Sequence, residues 1–436
     1  MRRALPAALL LLTACGHREP PETPHPFPPT VTRPAPGPTP ERPPEGAPAA
    51  RSAAPFGAGP TIRIGLAVER PSVTLGGGTA LVLRPAGRGQ ALVLPAGRPV
   101  AARAGARGVT LDLPGGARTF AAPARLEAAE VGGFVRVDGV DHRGDVELRR
   151  GGAGITAVAV LSMETYLAGV VGPELGITDG DAAEAVKAQA VVARTYAVKQ
   201  SGRYARQGFD LLATVSDQRY DGVAGERPEV WQALRETSGQ VLTYHGAPVD
   251  AFFHSTCGGR TAAGAEVFGN ASRPYLRSVS DLDPSGQAYC RASPRFRWRE
   301  EWDGAALAAA LARGSLHLAA PDAEGLRAVE VTARGASGRA TTLRLRLRGR
   351  DVTVEGSNAI RRALPPPDQP LLRSAAFTLT FRPGGGRVAS LVAEGSGSGH
   401  GVGLCQWGAI GRARAGQRYA SILSAYFPGT RLERRW

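Results

Sequence analysis

One carboxylate stands out in this chain for its setting. Glu174 closes the run Val170-Val171-Gly172-Pro173 and is followed by Leu175. A carboxyl group in apolar surroundings keeps its proton to higher pH than one in water, which a general acid working near neutrality requires. Downstream, Lys187 and Arg194 are seven residues apart. On a helix they share a stripe with Ala190, Val191, Ala197 and Val198, about 10 Å from one another along the axis. Cations on an apolar stripe need anionic or polar partners, supplied by a ligand or by acids of the protein. An ion pair from either of them to Glu174 would lower its pKa and oppose an acid role, so both are expected to sit away from it.

Two further segments carry reactive side chains, FFHSTCGGRT (252–261) and GSGSGHGVGLCQWGAIG (395–411). His254, Ser255 and Thr256 precede Cys257, Gly258 and Gly259. Neighbours on a strand point to opposite faces, so His254 cannot activate Ser255 as a nucleophile, and the segment reads as ligand-orienting. The glycine-rich loop has neither the GK[ST] of a P-loop nor dinucleotide spacing. Its glycines are expected to let the backbone approach a ligand, with His400 and Gln406 adding polar contacts and Trp407 a stacking face. Trp407 fits the core equally well. Cys257, Cys290 and Cys405 match no zinc spacing, which favours a disulfide from Cys257 to Cys290 or to Cys405. A metal cluster completed by His254 or His400 is the alternative; no metal or cofactor is expected. Asp217 and Asp250 are candidates for a second carboxylate.

These groups need a scaffold of mixed type. Short strand-like runs punctuated by Gly and Pro fill the region from Thr61 to Arg150. The segment 155–171 reads as a strand and then a helix starting at Ser162. A long helix is expected over about 181–205, capped by Asp179 or Asp181, and shorter ones over 227–238 and 303–313. Strands and helices alternate without regular βαβ order, so the fold class is α+β: a β-rich N-terminal part and a mixed α/β core with a substrate groove. Upstream, Arg2 and Arg3 precede the apolar run Ala4–Leu12, and Leu12-Thr13-Ala14-Cys15 resembles a lipobox. Residues 1–15 therefore read as a lipoprotein signal with Cys15 as the acylated residue. Residues 16–57 read as a Pro-rich disordered linker reaching roughly 120 Å if extended. Folded parts are expected at 58–150 and 151–436. The net charge of +15 is almost all arginine, Lys187 and Lys199 being the two lysines. It favours anionic partners. An exported chain without a nucleic-acid module is not expected to bind nucleic acid.

In order along the chain, HRGDVELR (142–149), YLAGVVGPEL (166–175), AVKAQAVVARTYA (185–197), FHSTCGGRT (253–261) and GHGVGLCQWGA (399–409) resemble the signatures of the sporulation stage II protein D (SpoIID/LytB) family. These are bacterial cell-wall proteins that include lytic transglycosylases and amidase modifiers. The resemblance covers about residues 60–436, with leucine where the glutamate motif has methionine. It implies that Glu174 is the acid/base for cleaving the MurNAc–GlcNAc bond of peptidoglycan, on strands stripped of peptide. The muramic acid C6 hydroxyl then attacks in place of water and leaves a 1,6-anhydro end. It further implies substrate contacts from Lys187, Arg194, His254, Ser255, Thr256, Gly259, His400, Gln406 and Trp407. The partners it implies are glycan strands and a cell-wall amidase, with the membrane reached through the lipid anchor. A Cys/His zinc site that follows the long helix in some relatives has no counterpart in 209–222. The competing readings are a non-catalytic wall binder or amidase enhancer, and a hydrolase using Asp217 or Asp250.

Overall fold

The structure, a computed structural model, describes residues 59–269 and 273–436. The signal-like segment, Cys15 and the Pro-rich stretch lie outside the described residues. Helices and strands are mixed as the sequence predicts for an α+β protein, and they gather around three hydrophobic cores.

The N-terminal core lies within two sheets. One has seven strands in the order 211–212, 61–70, 155–162, 145–150, 124–128, 81–84, 92–94; the other has six, 140–142, 135–137, 73–76, 100–105, 108–113, 116–120. Alternate residues such as Val73, Leu75, Leu83, Leu111, Leu126 and Leu148 are buried, the period-2 signature of strands with one face on a core. The strand Ile155–Ser162 pairs antiparallel with both 61–70 and 145–150. The sheet thus runs across the boundary expected at 150/151. The strand then hands the chain directly to helix α1 (Met163–Leu175).

Helix α1 starts where expected: the Ser162 hydroxyl accepts the Thr165 N–H at 3.3 Å. Helix α2 (Ala183–Gln200) follows a single 3₁₀ turn, Gly180–Ala182, and neither Asp179 nor Asp181 caps it through its side chain. The expected stripe on α2 is too narrow a description. Ala185, Val186, Ala188, Ala190, Val191, Val192, Ala193 and Ala197 are all buried, and they lie all around the helix. Small residues let the helix pass through the middle of the second core.

The third core belongs to 297–396, where two three-stranded sheets enclose Trp302, Leu311, Leu343, Leu345, Ile360 and Leu391. The chain leaves this part through the glycine-rich loop. It then enters the strand Leu404–Cys405, which runs parallel to Phe253–His254 and brings the second and third reactive segments side by side.

Candidate functional site

Glu174 lies in the last turn of α1, and its placement follows from the residues around it. Pro173 has no N–H, so the Gly169 carbonyl is released from the helix ladder. The Asp221 N–H takes that carbonyl at 3.1 Å. Two glycines make the approach possible: a Cβ on Gly169 would lie 2.6 Å from the Tyr220 ring, and one on Gly172 would lie 2.6 Å from the Gly225 carbonyl oxygen. The loop 217–225 therefore lies directly against α1, and the Arg219 N–H donates to Glu174 Oε1 at 2.7 Å.

The loop is anchored on its other side as well. Tyr166 Oη donates to Gln218, and His142 stacks on Tyr220 with ring centroids 5.6 Å apart. Arg143 forms a two-pronged ion pair with Glu226, at 2.6 and 3.0 Å. The upstream HRG element thus supports the glutamate from behind. Burial holds the Glu174 carboxyl above the ordinary carboxylate range. The Arg219 N–H and the positive charge of the Arg219 side chain oppose that shift, and the negative charge of Asp221 adds to it. Among the described residues no cationic side chain is within ion-pair distance of Glu174. Arg219 and Asp221, which bond each other at 2.6 Å, are site residues that sequence reasoning passed over. Their signal is the stretch DQRYDG (217–222), in which a cation and a second acid stand two residues apart beside Asp217.

The two cations of α2 are offset from Glu174, as expected, and their partners are acids of the protein. Arg194 is fully buried, bonded to both oxygens of Glu164 at 2.8 and 2.6 Å and to the Gln240 carbonyl at 3.1 Å. Lys187 pairs with Glu184 at 2.7 Å and Glu236 at 2.6 Å. With Nε, Nη1 and Nη2 each bonded within the protein and its side chain out of solvent, Arg194 is a packing residue rather than a glycan contact, and Lys187 is held on a protein ion-pair network. The candidates for a second carboxylate are also committed. Asp217 is buried against Arg203, Tyr196 Oη and the Leu212 N–H, and Asp250 takes Tyr275 Oη and Arg273.

The third segment does reach Glu174. Gln406, buried at the start of the helix Gln406–Arg414, donates from Nε2 to the Glu174 carbonyl at 2.8 Å. The Trp407 N–H bonds the Ser255 carbonyl at 3.1 Å, and its side chain packs partly buried against the second core. Across the 253–254/404–405 pairing stands His254, whose Nδ1 is 3.1 Å from the Val402 carbonyl. This contact makes Nδ1 the protonated nitrogen and leaves Nε2 as a buried acceptor with no partner among the described residues. Burial holds His254 well below its usual pKa, with His400 adding to the effect, and burial brings His400 down to about 3. The two rings are 5.5 Å apart, both neutral near pH 7, and neither is a cationic ligand group.

Ser255 Oγ lies 3.2 Å from Thr256 Oγ1, and Thr256 is buried on Ser293 at 2.7 Å. Gly259 adopts φ +108° and its carbonyl accepts the Asp281 N–H. Thr256 and Gly259 therefore build the turn. The glycines of the 395–403 loop serve this chain rather than a ligand. A Cβ on Gly399 would meet His254 Cβ at 2.8 Å, one on Gly401 the Arg339 guanidinium at 2.7 Å, and one on Gly403 the Phe252 carbonyl oxygen at 2.1 Å.

The expected disulfide is not formed. Cys257, Cys290 and Cys405 are buried free thiols, with Cys257 Sγ 3.6 Å from Cys290 Sγ. The side chain that joins them is Asp281, not His254 or His400. An open depression of about 800 Å³ lies elsewhere, lined by Arg297, Trp298, Arg334 and Phe377, and contains none of the predicted site residues.

Comparison with known proteins falls on the same segments. The family model described as Stage II sporulation protein (SpoIID) matches residues 151–244, and a domain of unknown function (DUF8618) matches 282–403. An uncharacterized protein of Brachyspira hyodysenteriae is 31% identical over 294 residues, covering 67% of this chain and 72% of that one. The stage II sporulation protein D of Bacillus amyloliquefaciens is 28% identical, covering 63% of this chain and 74% of its own. The amidase enhancer of Bacillus subtilis is 28% identical across 57% of this chain, which spans only 38% of the enhancer's length. The first of these segments holds α1, Glu174 and the loop that bonds it, and the chain belongs to the SpoIID family.

Proposed function

We propose that this protein is an exported lipoprotein, acylated at Cys15, that acts on the cell wall as a peptidoglycan lytic transglycosylase with Glu174 as its single acid/base. The observation that carries the reading is a carboxyl group at the end of α1, raised in pKa by burial and free of any ion pair among the described residues. Oε1 is occupied by the Arg219 N–H, which leaves Oε2 to hold the proton. In the reaction, Oε2–H protonates the oxygen linking MurNAc C1 to GlcNAc C4, and that bond breaks. The C6 hydroxyl of the same MurNAc attacks C1 and returns its proton to Glu174. The product is a 1,6-anhydro end, no water is consumed, and the carboxyl is regenerated. One carboxylate suffices, in keeping with the commitment of Asp217 and Asp250 to protein partners.

Ser255 and Trp407, both partly exposed, are the remaining groups suited to orienting the sugar. Incubating the protein with peptide-free glycan strands and analysing the products by mass spectrometry tests the reading. Anhydro-muramyl ends are expected; reducing ends would identify a hydrolase. Sacculus binding with no sugar released would identify the second reading, a glycan-docking protein that assists an amidase, which the similarity to the B. subtilis amidase enhancer supports.

A further inference from the structure

We propose that Cys257, Cys290, Cys405 and Asp281 are the four ligands of a structural zinc ion. Their donor atoms lie within 4.8 Å of one another, and all four residues are buried. They come from separate parts of the chain. Cys257 follows the strand 253–254, Asp281 and Cys290 flank the 282–288 turn, and Cys405 ends the strand 404–405. No local sequence spacing announces the set, because proximity arises only after these segments fold together.

The geometry separates a metal site from a disulfide. Sulfurs in a disulfide are about 2.05 Å apart. In a zinc tetrahedron with Zn–S of about 2.3 Å, the edge is about 3.8 Å. The Cys257–Cys290 separation of 3.6 Å matches the tetrahedral edge. A disulfide would also leave one of three thiols over and a carboxylate buried among sulfurs, whereas a four-coordinate cation uses every donor.

The surroundings are arranged as outer-shell support. The Cys257 and Gly408 N–H groups point at Cys405 Sγ at 3.1 and 3.3 Å, and the Gly259 N–H points at Cys257 Sγ at 3.4 Å. Backbone donors aimed at sulfur favour thiolates. Asp281 Oδ1 accepts from Arg412 at 3.1 Å and Tyr426 Oη at 2.7 Å, which turns Oδ2 toward the sulfurs. Arg339 is almost completely buried beside the cluster, with Nη2 on the Cys257 carbonyl at 2.9 Å and no ion pair among the described residues. Three thiolates and a carboxylate carry four negative charges. Zinc supplies two positive ones, and Arg339 and Arg412 supply the others. All four donors come from the protein and none faces solvent, so the ion is structural and leaves no position for substrate. Its place between Cys257 and Cys405 ties the strand that bears His254 to the one that presents Gln406 to Glu174.

The test is the metal content of the full chain, purified without chelator under reducing conditions and measured by plasma mass spectrometry. About one zinc per chain is expected, released when a mercurial reagent caps the thiols. Cys405→Ala and Asp281→Ala should each lower zinc affinity by at least about 10-fold. Should those variants fail to fold, the wild-type chain loaded with cobalt should show thiolate-to-cobalt charge-transfer absorption. A metal-free chain with two of the three cysteines bridged, another metal in place of zinc, or a cobalt spectrum lacking the charge-transfer band would overturn the assignment.

Discussion

Helix α1 carries two glutamates ten residues apart, and they are handled in opposite ways. Glu164 sits in the first turn, where the helix dipole favours an anion, and Arg194 bonds both of its oxygens in a fully buried pair. Glu174 sits in the last turn, where the dipole disfavours an anion, and its side chain receives one backbone N–H. Burial with a charged partner makes a fixed strut; burial without an ion pair raises the pKa of the carboxyl group. The same helix therefore carries one carboxylate tied into the fold and one raised in pKa with no ion pair among the described residues, and the difference lies in what faces each end.

Breaking the strut should have the largest effect. Glu164→Ala leaves Arg194 as an uncompensated buried charge and is expected to cost about 3–5 kcal/mol, read as a loss in denaturation midpoint. Gly172→Ala attacks the other end. Its Cβ would lie 2.6 Å from the Gly225 carbonyl, backbone that cannot give way cheaply. A cost of about 1–3 kcal/mol is expected. A fall in activity beyond that explained by stability is also expected, because the loop that bonds Glu174 is displaced.

These two ends were unequally legible in the sequence. The motif around Glu174, its apolar neighbours and the offset of Lys187 and Arg194 were readable from residue order. That Arg194 answers to Glu164 was not, because the pair spans two helices and needs their packing. Asp281 was hidden for the same reason: Asp283 stands two residues away and nothing local distinguishes them. The glycines of 395–403 were visible, but whether they admit a ligand or this chain's own strand depends on what lies opposite. The third core was legible as strands and helices but not as a separate packing unit.

Smaller effects sharpen the comparison through pH. Asp221→Asn removes a negative charge that raises the Glu174 pKa. The acid role needs the proton, so the alkaline limb of kcat/KM should lie above the ordinary carboxylate range in the wild type and move to lower pH in the variant. His142, beneath the Glu174 loop, is held down to about 4 by burial. Below about pH 6.5 the unfolded chain takes a proton that the fold refuses, so stability should fall by up to about 1.4 kcal/mol per pH unit until about pH 4. His142→Asn should remove that part of the slope in thermal melts taken across this window. Lys187→Ala should have the smallest effect, within about 1 kcal/mol in stability and with glycan turnover unchanged, as befits a partly exposed ion-pair network.

The most direct measurement of the central claim compares wild type and Glu174→Gln on peptide-free glycan, with sacculus binding followed in parallel. Anhydro-muramyl product is expected from the wild type, with a drop of about 10²–10⁴-fold or more in the variant and retained binding. Equal product from the two proteins, or none from the wild type, would contradict that claim.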